Sequence, residues 1–211
     1  MSDLAALRTA ILEGKRKDAE ALTKAALDQG TDPGTIARDA LIPAMQEVGD
    51  RFSRGEYFVP EMLIAAKAMK MAMEVLRPTL AKSGYTPAGR VIIGTVRGDL
   101  HDIGKNLVKM MLEGAGFEVV DLGVDVSPEK FVEGVKQHKP QLVAMSALLT
   151  TTMLSMPDTI KALSAAGLRG TVKVVIGGAA TTEAFAKEIA ADGYGSDAAT
   201  AVALAKRLVT A

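Results

Sequence analysis

The chain has 211 residues, with 25 Lys or Arg against 25 Asp or Glu, so its formal net charge is zero. That balance marks no general surface for nucleic acid or an anionic membrane, and the length suits one or two domains with a real core. There is no cysteine, which excludes a disulfide, a thiolate zinc site and a thiol nucleophile.

The opening "MSDLAALRTAILEGKRKD" carries charge too early for a signal peptide, and no stretch approaches 18 uninterrupted apolar residues. Both features fit a soluble, cytoplasmic protein. Residues 1–82 read as helix only. "SDLAALRTAILEGK" offers Ser2 or Asp3 as N-cap and an apolar stripe at Leu4, Leu7, Ile11 and Leu12. "RKDAEALTKAALDQG" ends on Gly30, a normal stop. "DPGTIARDALIPAMQEVGDRF" opens on Asp-Pro, and Pro43 inside it predicts a kink or break. "VPEMLIAAKAMKMAMEVLRPTL" has Pro60 in its first turn, and its methionines Met62, Met69, Met71 and Met73 read as core filler. Four helices with short connections predict a small bundle.

Residues 83–89 form a linker, within "KSGYTPAG". From residue 90 to 211 strands and helices alternate. "RVIIGTV", "FEVVDLG", "QLVAMSA" and "TVKVVIGG" are strands, and "GYG" is a short fifth. The helices are "GKNLVKMMLEGAG", "SPEKFVEGVKQHK", "MPDTIKALSAAG", "TTEAFAKEIAAD" and "SDAATAVALAKRLV". Alternation of this length predicts an α/β fold with a doubly wound, parallel, five-stranded sheet of Rossmann-like type. Ligands in such sheets bind beyond the carboxyl ends of the strands, at the switch in strand order. If the order is flavodoxin-like, the first and third strands are neighbours.

The unusual residues fall on those loops. After the first strand comes "RGDLHDIG", with one of only two histidines. After the third comes "SALLTTTM", and after the fourth "IGGAATT". Asp99, two residues before His101, can accept from one ring nitrogen while the other points elsewhere, the usual setting of a metal-bound histidine. The bare backbone of Gly177–Gly178 suits a large flat ligand. Each feature also has a plain reading: a hydrogen-bonded surface histidine, hydroxyls that cap the next helix, glycines of an ordinary turn. His138 reads as a solvated helix end with no role.

Taken together, the three loops resemble the signature of cobalamin-binding domains. Asp99-Leu100-His101-Asp102-Ile103-Gly104 is similar to D-x-H-x-x-G, Ser146-Ala147-Leu148 to S-x-L, and Gly177-Gly178 to the terminal G-G. The separations, 41 residues between Gly104 and Ser146 and 28 between Leu148 and Gly177, match that family as well. "GEYFVPEMLIAAKAMKMAMEVLRP" resembles the helical cap that precedes the cobalamin domain in methionine synthase and in the small corrinoid proteins of anaerobic methyl transfer. The resemblance implies residues 1–82 as a helical bundle cap and 90–211 as a cobalamin-binding domain.

It also implies roles. His101 would replace the cofactor's own base as lower axial ligand to cobalt, the base-off/His-on mode. Asp99 would accept from its other nitrogen, and the Thr152 hydroxyl would bond Asp99. Ser146 would meet the displaced base. Gly104, Gly177 and Gly178 would line the channel for the nucleotide tail, with Asp102, Ile103, Leu148 and Thr150 also in contact. Phe58 would cover the upper, methyl-bearing face. The relay of His101, Asp99 and Thr152 would take up or release a proton as cobalt cycles between Co(I) and methyl-Co(III). The cofactor would be cobalamin or a related corrinoid.

No acid/base pair or nucleophile is present to activate a methyl donor. The resemblance therefore implies a carrier without turnover of its own. A substrate-specific methyltransferase would load the methyl group, a corrinoid:acceptor methyltransferase would remove it, and a reductive activase would be a further partner. No nucleic acid and no membrane are implied. Three other readings share the fold. A cobalamin-dependent sensor would need a DNA-binding domain, and residues 1–82 leave no basic recognition helix. A nucleotide-binding module would carry G-x-G-x-x-G, which "GTVRGDLHDIG" is not. A mutase fragment would accompany a large barrel.

Overall fold

A computed structural model describes residues 3–209, which divide into two compact units, one of residues 3–87 with Gly114–Gly116 and one of Ala88–Glu113 with residues 117–209.

The first unit is helical. In α1 (Leu4–Leu12) the Asp3 carboxylate accepts from the Ala6 N–H at 2.8 Å, closing one of the free donors of the first turn. Ser2, the alternative cap, lies outside the described residues. α2 (Arg16–Asp28) stops at Gly30, whose φ of +79° is the left-handed conformation that ends a helix. α3 (Pro33–Ile36) is capped by Asp32 and carries its proline at the first position. The chain then makes a π-helical turn over Ala37–Leu41 and continues directly into α4 (Ile42–Ser53). The expected kink or break at Pro43 is therefore a local widening. Proline has no N–H and its ring crowds the carbonyl four residues back, and one wider turn before it relieves both problems without ending the helix. α5 (Val59–Leu80) completes the unit, with the Glu61 carboxylate accepting from the Phe58 N–H at 2.9 Å. Leu7, Ile11, Leu41, Met45, Met62 and Leu76 are fully buried, each such side chain contributing about 1.5–3 kcal/mol. Of the four methionines read as core filler, Met62 and Met69 are buried, whereas Met71 and Met73 are only half-buried on α5.

The second unit contains β1 (Arg90–Thr95), α6 (Ile103–Gly114), β2 (Glu118–Asp121), α7 (Pro128–His138), β3 (Leu142–Ser146), α8 (Ser155–Ala165), β4 (Lys173–Gly177), α9 (Glu183–Glu188), β5 (Gly193–Gly195) and α10 (Ala198–Val209). The sheet is wholly parallel in the order β2-β1-β3-β4-β5, the flavodoxin-like order. Strands buried on both faces need near-continuous apolar sequence, which "VII", "LVAM" and "VVI" supply. One core gathers Ile92, Phe131, Val143, Met156 and Ile176. Gly94 leaves room for the Phe131 ring, which a Cβ there would meet at 3.0 Å.

Register positions the site. Thr95 pairs with Ser146, and Ser146 pairs with Gly177. The loops after β1, β3 and β4 therefore leave the sheet side by side, at the switch in strand order between β1 and β3.

Candidate functional site

Asp99 organises the site. It is 1% exposed, and both carboxylate oxygens are fully engaged. Oδ1 accepts from the His101 backbone N–H at 3.0 Å and lies 2.7 Å from His101 Nδ1. Oδ2 accepts from the Leu148 N–H at 2.7 Å and from the Thr152 hydroxyl at 2.6 Å. Burial alone would raise the Asp99 pKa. The hydrogen bonds from Thr152, the backbone of His101 and Leu148, and the His101 ring outweigh it and hold the carboxyl well below the usual range. Asp99 is thus a carboxylate at neutral pH, and its partner nitrogen Nδ1 carries a proton. That tautomer leaves the lone pair on Nε2.

The His101 side chain is 54% exposed, and its carbonyl accepts from the Thr95 hydroxyl at 2.9 Å. The ring is therefore fixed at one nitrogen and open at the other. The loop from β1 supplies Asp99 and His101, and the turn after β3 supplies Thr152 and the Leu148 N–H. The structure thus brings together residues about fifty positions apart in sequence. Thr152 does not cap α8, whose first turn is preceded by Leu154 without a side-chain cap.

The remaining expected residues lie on or beside the same loops of the second unit, except Phe58, which belongs to the helical unit. Ser146 ends β3, half-buried, and its hydroxyl has no partner among the described residues. Leu148 and Thr150 are exposed on the turn after β3. Asp102 precedes α6 and accepts from the Asn106 side-chain amide at 2.9 Å, so its carboxylate is engaged within its own turn. Ile103 and Gly104 are exposed at the start of α6, with open space where a Gly104 Cβ would point. Gly177 closes β4, where a Cβ would lie 3.0 Å from the Gly195 carbonyl oxygen. Gly178 has φ +116°, and a Cβ there would collide with the Ala147 backbone, so the neighbouring turn requires glycine at that position. In the helical unit Phe58 is 64% exposed just before α5.

The sequence reading missed residues on the neighbouring elements, Lys105 and Asp121 among them. Lys105 is 3% exposed, and its ammonium donates to Asp121 at the end of β2, at 2.6 Å. Lys109 adds a second contact to Asp121 at 3.2 Å. A lysine on the otherwise apolar stripe of α6, and an aspartate closing the strand "EVVD", are the signals that could have found them.

The donor set can be tested against a metal-bearing ligand. Among the described residues no cluster of three or more His, Cys, Asp or Glu could hold a metal ion. The arrangement offers a single oriented imidazole. Leu100, Leu148 and Leu149 stand exposed on the loops after β1 and β3, and Ile103 at the start of α6. One ligand atom, an apolar rim and an unpaired Ser146 hydroxyl fit a large, flat, metal-centred organic cofactor that brings its other ligands with it.

Comparison with known proteins defines the class. A family described as "B12 binding domain" matches residues 89–203, and a second family of the same description matches residues 4–77. The chain belongs to the B12-binding corrinoid proteins, and its cofactor is cobalamin or a related corrinoid. It is 46% identical to trimethylamine corrinoid protein 2 of Methanosarcina acetivorans, over 94% of this chain and 93% of that one. A cobalamin-binding protein from Desulfitobacterium hafniense superposes with a TM-score of 0.81 at 34% identity, covering 99% of each chain. A chain of the methanol:cobalamin methyltransferase complex from Methanosarcina barkeri superposes with a TM-score of 0.87 at 33% identity, covering 98% of this chain and 79% of that one. No helix among the described residues is long and apolar enough to cross a membrane.

Proposed function

We propose that the chain is a methyl carrier. It holds its corrinoid base-off, with His101 as lower axial ligand. It serves a substrate-specific methyltransferase that delivers the methyl group and an acceptor methyltransferase that takes it away. The observation that carries this reading is the His101 imidazole, fixed through Nδ1 by a fully buried carboxylate and open at Nε2. When bound, the corrinoid supplies a cobalt centre that accepts a methyl group and gives it up again.

The chain's own residues have narrower tasks. Asp99 keeps the proton on Nδ1 and so keeps the Nε2 lone pair available. Thr152 and the Leu148 N–H hold the second carboxylate oxygen, so that Asp99 cannot turn away. Asp99, His101 and Thr152 would form the relay that takes up or releases a proton beside the bound cofactor, with His101 holding the metal. Ser146 is assigned to the displaced base. Gly104, Gly177, Gly178, Asp102, Ile103, Leu148 and Thr150 are assigned to the tail channel, and Phe58 to the shielding of the methyl-bearing face.

The relatives support the partner reading, since they are named for trimethylamine or belong to a methanol:cobalamin methyltransferase complex. A methylamine or methanol is accordingly the proposed donor class. A reductive activase is a further proposed partner, and the cytoplasm the proposed location.

The test is reconstitution. The purified chain should take up an equimolar amount of corrinoid and show no turnover with a methylamine or methanol alone. Addition of a cognate methyltransferase should transfer the methyl group stoichiometrically to the loaded chain. Catalytic turnover by the isolated chain contradicts the carrier reading.

A further inference from the structure

The signature segment is gripped at both ends by the last residue of β2 and the loop that follows it. At its start the Gly98 N–H donates to Asp125 Oδ1 at 2.7 Å, and the Asp125 N–H donates back to the Asp99 carbonyl at 3.0 Å. At its far end the buried Lys105 ammonium donates to Asp121 Oδ1 at 2.6 Å. The Gly123 N–H donates to that same oxygen at 2.9 Å, closing the turn. The loop itself is tied to β1: the Leu122 N–H donates to Ile93, the Val126 N–H to Thr95, and the Thr95 N–H to Gly123, all between 2.8 and 3.0 Å.

Asp125 adopts φ +51°, a left-handed conformation that side chains other than Gly, Asn and Asp rarely take. Outside its own loop, the Asp99 carboxylate is held from the β3 side only, by the Leu148 N–H and the Thr152 hydroxyl. The backbone that carries Asp99 and His101 is held from the β2 side, by Asp125 and Asp121.

We infer that Asp125 and Asp121 are positioning residues for His101. By fixing Gly98 and the first turn of α6, they present the imidazole before any cofactor arrives. Preorganisation of this kind strengthens binding because the ordering cost is met during folding. The inference rests on the proposed ligation of cobalt by His101.

Three single variants separate hydrogen bonding from backbone strain. Asp125→Asn keeps an acceptor and tolerates the left-handed conformation. Asp125→Gly relieves the conformation and loses the acceptor. Asp125→Ala loses both. Two readouts apply: amide hydrogen exchange of residues 98–102 with the imidazole 15N signals of His101 in the cofactor-free chain, and affinity for added hydroxocobalamin. Asp125→Gly and Asp125→Ala should exchange faster, broaden the His101 signals and bind the corrinoid ~10-fold more weakly. Asp125→Asn should stay within about threefold of the unaltered chain.

The double variant Lys105→Met with Asp121→Asn removes the buried charge pair without stranding either partner. It should loosen the start of α6 and weaken corrinoid binding in the same direction. Asp125→Gly indistinguishable from the unaltered chain in both readouts, or Asp125→Asn as damaging as Asp125→Ala, overturns the inference. So does a double variant that leaves exchange and affinity unchanged. Failure of the unaltered chain to bind any corrinoid overturns the ligation reading itself, while the exchange data still decide whether Asp125 anchors the loop.

Discussion

Thr152 Oγ1 lies 2.6 Å from Asp99 Oδ2, on the carboxylate oxygen opposite the one that faces His101. One buried carboxylate therefore couples the turn after β3 to the imidazole on the loop after β1. Asp99→Asn should preserve the fold but weaken the histidine's hold on the corrinoid, since loss of such a partner typically costs ~10–100-fold in affinity or activity. Thr152→Ala should act in the same direction more mildly, and Thr152→Ser, which keeps the hydroxyl, should act least. Corrinoid titration of the three variants checks the order. A Thr152→Ala chain more impaired than His101→Ala contradicts the relay.

The acid limb of stability should be steep. Asp99 and Asp121 are both held below the ordinary carboxylate range, Asp121 by Lys105, the Gly123 N–H and Lys109 acting against burial. In the unfolded chain both titrate near about 4, so below that pH the unfolded state binds more protons. Their contribution is present in full above the unfolded value and is lost as pH falls towards the folded ones. Denaturant unfolding of the cofactor-free chain between about pH 5 and pH 2 should show stability declining, with a smaller decline for Asp121→Asn. Equal slopes for both chains would remove Asp121 from this account.

Two glycines of the signature should respond differently to alanine. Gly178→Ala drives a Cβ into the Ala147 backbone at a positive φ, so it should destabilise the fold and lower the thermal midpoint. Gly104→Ala meets open space on the first turn of α6, where alanine is the better helix former. Its midpoint should be unchanged or higher, and its corrinoid affinity lower. Undiminished affinity would take Gly104 out of the tail channel.

Phe58 is largely exposed, so Phe58→Ala should leave the unfolding free energy within about 0.5 kcal/mol of the original. If it shields the methyl-bearing face, the variant should lose the methyl group to light, or reduced cobalt to oxygen, faster than the parent. Absorption spectroscopy under illumination follows this directly. Unchanged rates would assign the shielding to another residue, and the fully buried Met62 would need rearrangement to take that role.

Much of the fold was legible because each element carries its own local signal. The runs "VII", "LVAM" and "VVI" fit strands buried on both faces, Gly30 ends a helix, and even the three-residue strand "GYG" stood out between two helices. The flavodoxin-like strand order stands in the sequence reading as a condition, and the observed order β2-β1-β3-β4-β5 meets it. Pro43 was read less well: its local rule predicts disruption, and the π-helical turn that absorbs it depends on packing along the whole α3–α4 run. In the site, Asp99 and His101 were legible from their spacing of two. Lys105, Asp121 and Asp125 were not, because a lysine in a helix and aspartates beside a strand look solvent-facing until the fold buries one and aims the others at the signature loop.

The most direct test is the cobalt–nitrogen bond. The corrinoid-loaded chain, reduced to Co(II), should give an EPR spectrum with superhyperfine splitting from one axial nitrogen. Labelling the protein's histidines with 15N should change that splitting, and His101→Ala should abolish it. A splitting that ignores the histidine label and follows the cofactor's own base instead would contradict His101 as the axial ligand.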